Sequence, residues 1–429
     1  MRILYIHQHF CTPAGAGGTR SYEFARRWVR RGHEVLVLCG SGYDETLPPR
    51  GEVDVEGIRV RVLGVRYQST MGFLARLWAF LAFALKSTLA AARARRFDVV
   101  LATSTPLTVA LPAMAARWIA GRPVVFEVRD VWPDAAVDAG VLRNPLLISA
   151  ARMLEAMAYR SAAHIVPLST GMQDRIRRKG VPDARMTMIP NCSDTEMFRP
   201  DLDASGVRAE HGAEGKFIAL YVGAVNLAND MGYLVEVARR LRDEPDIEMW
   251  FVGGGNRLGF LEKAVSDEQL TNVRCLGPQP KQRVPLYAAA ADCGLVTFIP
   301  EPVYYENSPN KFFDYIASGL PVLFSRTTWL APYLRRYEAG WVCRPRRPDE
   351  MADAIRRLRD EPSLRRKMGR NARRLAEEAF PRELHAERYL PLLAGAAGSA
   401  GQAAARGAGV RASDHPVANE GGAECRIAS

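Results

Sequence analysis

The chain has 429 residues, of which 48% are hydrophobic and 24% are charged, and its net charge at pH 7 is +11. This composition excludes a mainly disordered, collagen-like or coiled-coil protein, and the length predicts two or three domains. Residues 1–200 contain 27 basic and 17 acidic residues, so we expect the first half to face phosphorylated substrates, a membrane surface or nucleic acid. An arginine excess without a partner is the alternative explanation.

The seven cysteines are odd in number and form no C-x-x-C pair, so neither a disulfide framework nor a structural zinc site is expected. The first ten residues, MRILYIHQHF, lack the long apolar stretch and the small-residue cleavage site of a signal peptide. Both features predict a protein of the cytoplasm.

In chain order, the first half alternates short apolar runs with helical patterns, which predicts a parallel, doubly wound sheet. The predicted strands are Arg2–Ile6, Glu34–Cys39, Asp98–Ala102, Val124–Val128 and His164–Leu168, and the helices are Thr19–Arg31, Ala110–Ala120 and Thr170–Lys179.

A second series follows a linker near Pro190–Asp203. Its predicted strands are Phe217–Val222, Ile247–Val252, Cys293–Phe298 and Val322–Ser325, and its helices are Tyr233–Leu241, Val284–Ala291 and Pro309–Ser318. We therefore predict an α/β protein with two Rossmann-like domains, 1–195 and 196–380, facing each other across a cleft. A last helix is expected over 381–393 and a disordered tail over 394–429.

The segment Met71–Ala92 is apolar except for Arg76 and Lys86, and Arg93, Arg95 and Arg96 follow it. A helix lying on an anionic membrane surface and a buried helix of the first domain are both open, and a membrane-spanning helix is less favoured because both charges are internal.

The segment Tyr305–Val322 combines a helix-start pattern with charge. Ser308 is expected to cap the helix and Pro309 to take its first position, with Gly319 at the end. Lys311 in the first turn opposes the helix dipole unless an anion binds there, which predicts a diphosphate site. Asn310 adjoins this site, Glu306 precedes it, and Asp314 is placed to bind ribose hydroxyls. An ordinary capped helix with a surface Lys–Asp pair is the alternative.

Two glycine-rich loops follow predicted strands. Gly17 and Gly18 allow a phosphate or sugar to approach the backbone closely. Gly253 and Gly254 line the crevice at the carboxyl end of a strand, unless they form only a tight turn. The first of these loops lacks the G-x-G-x-x-G spacing, and no acidic residue ends the second predicted strand, which disfavours a nicotinamide dinucleotide.

Asp130, at the carboxyl end of another predicted strand, is expected to orient or deprotonate an attacking hydroxyl, unless it forms a salt bridge with Arg129. No metal site is expected. Asp201 and Asp203 form a D-x-D pattern in the polar linker, and the histidines show no ligand spacing.

Three segments together resemble the family 4 glycosyltransferases of the GT-B fold over roughly residues 1–393. They are the opening stretch HFCTPAGAGGTRSYEFARRWVRRGHEVLVL, the linker Met188–Asp194, and the acidic pair Glu306 and Asp314, in which Asp replaces the usual second Glu. The stretches EVRDVWPD and SPNKFFDYIASGLPV look most like bacterial surface-polysaccharide transferases, including those resembling the fucosaminyltransferases of O-antigen assembly.

The resemblance implies retaining transfer of a sugar from a nucleotide donor, usually UDP-linked, without a metal ion or other cofactor. It implies that Glu306 binds the donor sugar's hydroxyls, Lys311 neutralises the leaving diphosphate and Asp314 holds the ribose. Residues Gly223–Ala238 lack the basic residues that many members carry there, so Arg20 is expected to supplement Lys311.

The predicted catalytic residues are Glu306, Lys311 and Asp130, and the predicted donor-binding residues are Gly17, Gly18, Arg20, Gly253, Gly254, Asn310, Lys311 and Asp314. We expect a hexosamine or deoxyhexosamine to pass from UDP to a lipid-linked or saccharide acceptor, at the inner face of the cytoplasmic membrane. An inactive transferase-like scaffold and a sugar-nucleotide epimerase are the alternatives. Nucleic-acid binding is disfavoured because the arginines lie on helical faces without interleaved aromatic residues.

Overall fold

The computed structural model describes residues 1–15, 17–68, 71–138, 140 and 142–407. Its first domain is a seven-stranded sheet in the order β3-β4-β2-β1-β5-β6-β7. The strands are β1 (Arg2–Ile6), β2 (Glu34–Ser41), β3 (Gly51–Val55), β4 (Ile58–Arg66), β5 (Val99–Ser104), β6 (Val124–Val128) and β7 (His164–Pro167). β3 runs antiparallel to β4, and the other neighbours pair in parallel.

Helices cover both faces of this sheet. They are α1 (Arg20–Arg30), α2 (Phe73–Ala91), α3 (Ala110–Trp118), α4 (Asp134–Asp138), α5 (Pro145–Ser161) and α6 (Thr170–Arg178). On β1, Leu4 and Ile6 are buried in the core with α2, α3 and α5, whereas Ile3 and Tyr5 pack on the side of α1. Burial on both faces explains why the strands are nearly continuous apolar runs.

The second domain is a six-stranded parallel sheet in the order β10-β9-β8-β11-β12-β13. The strands are β8 (Phe217–Val222), β9 (Ile247–Val252), β10 (Val273–Gly277), β11 (Cys293–Val296), β12 (Val322–Phe324) and β13 (Gly340–Val342). Its helices are α7 (Ser205–Glu210), α8 (Met231–Arg240), α9 (Leu258–Asp267), α10 (Val284–Ala290), α11 (Asn310–Ala317), α12 (Ala331–Tyr337), α13 (Pro348–Asp360) and α14 (Pro362–Ala379). The predicted α/β class with two Rossmann-like domains is confirmed.

The last helix, α15 (Arg382–Gly407), returns to the first domain. Tyr389, Leu393 and Ala396 are buried beside α1, and the indole N–H of Trp28 donates to the Ala386 carbonyl at 2.9 Å. The helix was predicted to end at 393, and disorder was expected from 394. This was wrong for 394–407, because an alanine-rich segment is a strong helix former and Ala396 finds a core to pack on. The remainder of the predicted tail, 408–429, lies outside the described residues.

Candidate active site between the two domains

The candidate site lies where loops of the first domain meet the start of α11. A Cβ atom on Gly18 would lie 3.2 Å from the amide nitrogen of Asn310. The backbone N–H of Asn191 donates to the Ser308 hydroxyl at 3.3 Å, and its side-chain amide donates to the Ser308 carbonyl at 2.5 Å. A pocket there is lined by residues of both domains, among them Gly18, Asn191, Lys281, Asn310 and Asp314.

The first turn of α11 differs in detail from its prediction. The helix begins at Asn310 with Pro309 as the N-cap, and no side chain caps it. Ser308 does not cap the helix because its hydroxyl binds Asn191 instead. Gly319 follows the helix with φ +70°, as predicted for that position.

Lys311 is buried and has no anionic partner among the described residues. Its Nζ lies 3.2 Å from Oδ1 of Asn229 and 3.8 Å from the centre of the Tyr221 ring. Burial lowers the pKa of this ammonium well below its ordinary value. A Cβ atom on Gly223, at the end of β8, would lie 3.7 Å from Nζ. A buried ammonium without a carboxylate is costly unless an anion completes the site.

Asp314 does not pair with Lys311, so the predicted alternative of a surface Lys–Asp pair is wrong. Its Oδ2 accepts from Nζ of Lys281 at 2.7 Å, and both side chains are largely buried. Oδ1 forms no hydrogen bond with the described residues and stays available to a ligand in the pocket. The assignment of this carboxylate to a ribose stays a prediction.

Glu306 ends a short turn, Pro302–Glu306, and reaches α6 of the first domain. Its Oε1 accepts from Nε of Arg175 at 2.6 Å, and Arg175 also bridges to Asp138 at 3.0 Å. A Cβ atom on Gly171 would lie 2.4 Å from the Glu306 Cγ. Burial raises the pKa of the Glu306 carboxyl although the arginine opposes that effect. Glu306, which was predicted to bind the donor sugar, thus already uses one carboxylate oxygen to pair with an arginine of the first domain.

Asp130 lies at the carboxyl end of β6 and accepts from the Thr105 hydroxyl at 3.3 Å. Burial raises the pKa of its carboxyl, and its charge adds to the raised pKa of Tyr304 in the second domain. The Arg129 side chain turns to His7 and Glu127 instead. The alternative of an Arg129–Asp130 salt bridge is therefore wrong.

Arg20 is not free to supplement Lys311. Its Nε pairs with the fully buried Glu127 at 3.0 Å, and its terminal nitrogens donate to the carbonyls of Ile189 and Pro190 and to the Tyr389 hydroxyl. All its donor nitrogens are thus engaged by the first domain and α15. The prediction that Arg20 binds the diphosphate is corrected to a structural role at the junction of three segments.

The predicted ligand-binding glycines have different structural surroundings. Gly253 has φ +149°, and a Cβ there would lie 1.9 Å from the Gly223 carbonyl oxygen, so the packing of the β8 and β9 loops alone accounts for it. Gly254 faces Pro278 at ordinary contact distance. The Gly17 N–H donates to Sγ of Cys11 at 3.3 Å. Ligand contacts of these glycines stay predictions.

Comparison with known proteins identifies the family of each domain. Residues 15–192 match the glycosyl transferase 4-like domain family, and residues 206–375 match the glycosyl transferases group 1 family. The chain is a glycosyltransferase of the GT-B type.

Two bacterial relatives are similar to this glycosyltransferase. The probable glycosyltransferase WbjE of Pseudomonas aeruginosa is 26% identical over 287 residues, which are 66% of this chain and 70% of WbjE. WcaI of Escherichia coli K12, a putative colanic acid biosynthesis glycosyl transferase, is 24% identical over 312 residues, 69% of this chain and 76% of WcaI. The fold is shared with Anabaena HepE in complex with UDP-glucose, at a TM-score of 0.71 and 19% identity, over 92% of this chain and all of that one.

Several residues that surround the candidate site carry no local sequence signal. Arg175 and Lys281 lie far along the chain from the carboxylates they bind, and Asn229 and Tyr221 surround Lys311 from other elements. Within the described residues, no group of three or more His, Cys, Asp or Glu side chains could hold a metal ion. Asp203 of the D-x-D pattern binds the backbone N–H of Ser205 instead.

Proposed function

We propose that the enzyme moves a hexosamine or deoxyhexosamine from a UDP-sugar to a lipid-linked or saccharide acceptor of cell-surface polysaccharide assembly, with retention of the anomeric configuration and without a metal ion. One observation carries the donor part of this proposal: the buried Lys311 at the first turn of α11 has no anionic partner among the described residues.

The chemistry of Lys311 fits a leaving diphosphate. Cleavage of the bond between sugar and diphosphate develops negative charge on the phosphate oxygens. A fixed ammonium beside free N–H groups at a helix N-terminus stabilises that charge strongly, because little water screens it. The charge of this ammonium is not cancelled by a described carboxylate, so it supplies the neutralisation that a divalent cation provides in other transferases.

The carboxylates are divided between the two sides of the cleft. Glu306 keeps Oε2 free of hydrogen bonds to the described residues, so this oxygen can accept a donor-sugar hydroxyl while Arg175 holds the other. Asp130 lies on the first-domain side and would orient the acceptor hydroxyl. In the proposed retaining reaction the acceptor attacks on the face of the leaving group, and a phosphate oxygen takes its proton.

The similar proteins support two parts of the proposal, the uridine nucleotide of the donor and the polysaccharide pathway. HepE binds UDP-glucose within the same fold, which supports a UDP-linked donor. WcaI is named for colanic acid biosynthesis, which supports a surface polysaccharide as the product. The six described cysteines are all free thiols, in keeping with a reaction in the cytoplasm.

Nucleotide binding with EDTA present tests the donor site. Thermal shift against UDP, GDP, ADP, CDP and NAD should show selective stabilisation by UDP, and Lys311→Met should reduce it strongly. Lys263→Met, on the exposed side of α9, is the matched control because the one described partner of that lysine is Asp267. Equal UDP binding by Lys311→Met, or binding that requires a divalent cation, would contradict the proposal. The anomeric configuration of the product, determined by NMR, tests retention.

A further inference from the structure

The first domain carries an apolar surface that its own fold does not cover. Of the sixteen large hydrophobic side chains exposed within the described residues, twelve lie on or directly after α2, α3 and α5. Leu74 is 76% exposed, Trp78 73% and Leu146 79%. We call this surface the helical face, and it consists of Leu74, Leu77, Trp78, Leu81, Leu85, Leu89, Leu111, Trp118, Ile119, Leu146, Leu147 and Met153.

The helical face is one layer rather than scattered residues. α3 packs between α2 and α5, and all three cover the same side of the sheet. On α2 the exposed leucines and Trp78 recur at intervals of three or four residues, whereas Ala79, Phe83 and Ala84 on the other side are buried in the core. The helix is therefore apolar both toward its own domain and toward solvent. Exposed apolar patches of this extent mark interaction sites in soluble proteins.

The exposed charges on α2, α3 and α5 are all positive. The exposed arginines on or beside these helices are Arg93, Arg95, Arg96, Arg117, Arg143, Arg152 and Arg160. Of these seven, only Arg152 reaches a described carboxylate, Asp134 at 4.0 Å. α2 and α3 contain no acidic residue, and Glu155 of α5 is buried and held by Lys179. Leu and Trp side chains surrounded by arginines match the headgroup region of an anionic bilayer.

We propose that the helical face docks the enzyme on an anionic membrane surface, with α2 lying in the interface. A second copy of the chain fits poorly, because a two-fold interface would set the arginines against each other. Leu74–Ala91 is the one helix of the described residues long and apolar enough to span a bilayer. However, Phe83 is fully buried in the domain core, and Lys86 binds the carbonyls of Leu63 and Gly64. A spanning arrangement would require this packing to break.

The helical face extends toward the cleft between the two domains. α2, α3 and α5 follow β4, β5 and β6, so their first turns lie toward the carboxyl edge of the sheet, where Asp130 lies. Of the three most exposed apolar side chains of the face, Leu74 and Leu146 lie in the first turns of α2 and α5, and Trp78 lies in the second turn of α2. A lipid-linked acceptor held in the bilayer would meet the enzyme at the rim of its cleft. This last step rests on the proposed function, whereas the docking does not.

Co-sedimentation of the full chain with lipid vesicles tests the docking. The enzyme should pellet with vesicles of equal parts phosphatidylcholine and phosphatidylglycerol and remain in solution with phosphatidylcholine alone. Replacing Arg93, Arg95 and Arg96 by Gln should weaken binding at low salt about 100-fold, since each basic residue at an anionic surface contributes about fivefold. The matched control replaces Arg335, Arg336 and Arg370 by Gln. These are exposed arginines of the second domain without a described ion pair.

A second set of variants tests the apolar contact. Leu74→Ser, Trp78→Ser and Leu85→Ser combined should lose vesicle binding at least tenfold, whereas Phe260→Ser with Leu384→Ser should not. Quenching of tryptophan fluorescence by brominated lipid should fall in Trp78→Phe. Unchanged binding by the triple serine variant would overturn the proposal. So would light scattering that shows a dimer converted by this variant to a monomer. UDP binding by each variant is measured separately, so that a failed donor site and a failed docking surface are distinguished.

Discussion

Replacing Lys311 by Met should make the protein more stable and the donor site weaker, a pair of effects that an ordinary buried lysine would not give. The ammonium is buried without a described counter-anion, which costs several kcal/mol. The contact with the Tyr221 ring returns about 2 kcal/mol, and the hydrogen bond to Asn229 a similar amount. The net cost is of order 2 kcal/mol, and Met keeps the apolar stem in place.

This free energy corresponds to a rise of about 4–8 °C in the Tm of the second domain, measured by calorimetry. Lys311→Met should also lower the affinity for UDP about 10- to 100-fold, because a charge-assisted hydrogen bond to phosphate contributes about 1.5–3 kcal/mol. Isothermal titration measures this loss. Lys263→Met should change both quantities little, since an exposed pair contributes less than about 1 kcal/mol.

The pH dependence gives an independent check. The folded pKa of Lys311 lies well below its unfolded value of about 10.4. Between these two values the unfolded chain binds more protons at this site than the folded one, so the free energy of unfolding rises with pH. The stability advantage of Lys311→Met should therefore shrink as the pH rises from the folded pKa toward the unfolded one.

UDP binding should also raise the pKa of the ammonium and take up protons, which titrations in buffers of different ionisation enthalpy detect. A variant less stable than the natural protein, or an advantage that does not change with pH, would refute the assignment of Lys311 as an anion-binding charge.

Three further substitutions test the rest of the site. Arg175→Gln should lower kcat/KM about 10- to 100-fold and shift the acidic limb of the pH–rate profile upward, because Glu306 loses the cation that opposes its raised pKa. UDP binding should persist, and an unshifted limb would contradict a positioning role. Arg20→Ala should destabilise the protein by about 3–5 kcal/mol, since Glu127 would stay buried and lose its Arg20 partner; a Tm within about 1 °C of the natural value would disprove the structural role. Asp130→Asn should raise KM for the acceptor and leave UDP affinity unchanged, as steady-state kinetics and titration can show.

Sequence patterns predicted the strands of the two sheets more accurately than the contacts around the candidate site. Arg2–Ile6, Val124–Val128, Phe217–Val222 and Ile247–Val252 were predicted with the bounds that the structure shows, because buried parallel strands are short apolar runs between turn residues. β4, which lies between β2 and the antiparallel edge strand β3, was missed because Arg59 and Arg61 interrupt its apolar pattern on the exposed face. A strand in an antiparallel pair near the edge of a sheet can face solvent on one side and need not be apolar on both.

The sequence predicted that α11 and the carboxylates near it form the candidate site. It did not predict which residues contact them. Ser308 has the pattern of an N-cap, and only the approach of Asn191 from the linker diverts its hydroxyl. Arg20 has the position of a phosphate ligand in its loop, and only the return of α15 with Tyr389 shows that its donors are already engaged. Such contacts join segments more than 100 residues apart, and local patterns carry no information on them.

The contacts across the cleft couple the donor site to the position of the domains. Arg175 reaches Glu306 from α6, Gly18 lies against Asn310, and Asn191 holds the backbone at Ser308. All three second-domain partners lie within five residues of Lys311. If the domains separate, Glu306 loses its arginine partner, and the start of α11, where Lys311 lies, loses the first-domain loop at Gly18. Under the proposed function, the donor-binding groups act together only when the cleft is closed, and closure would exclude bulk water from the diphosphate as its charge develops.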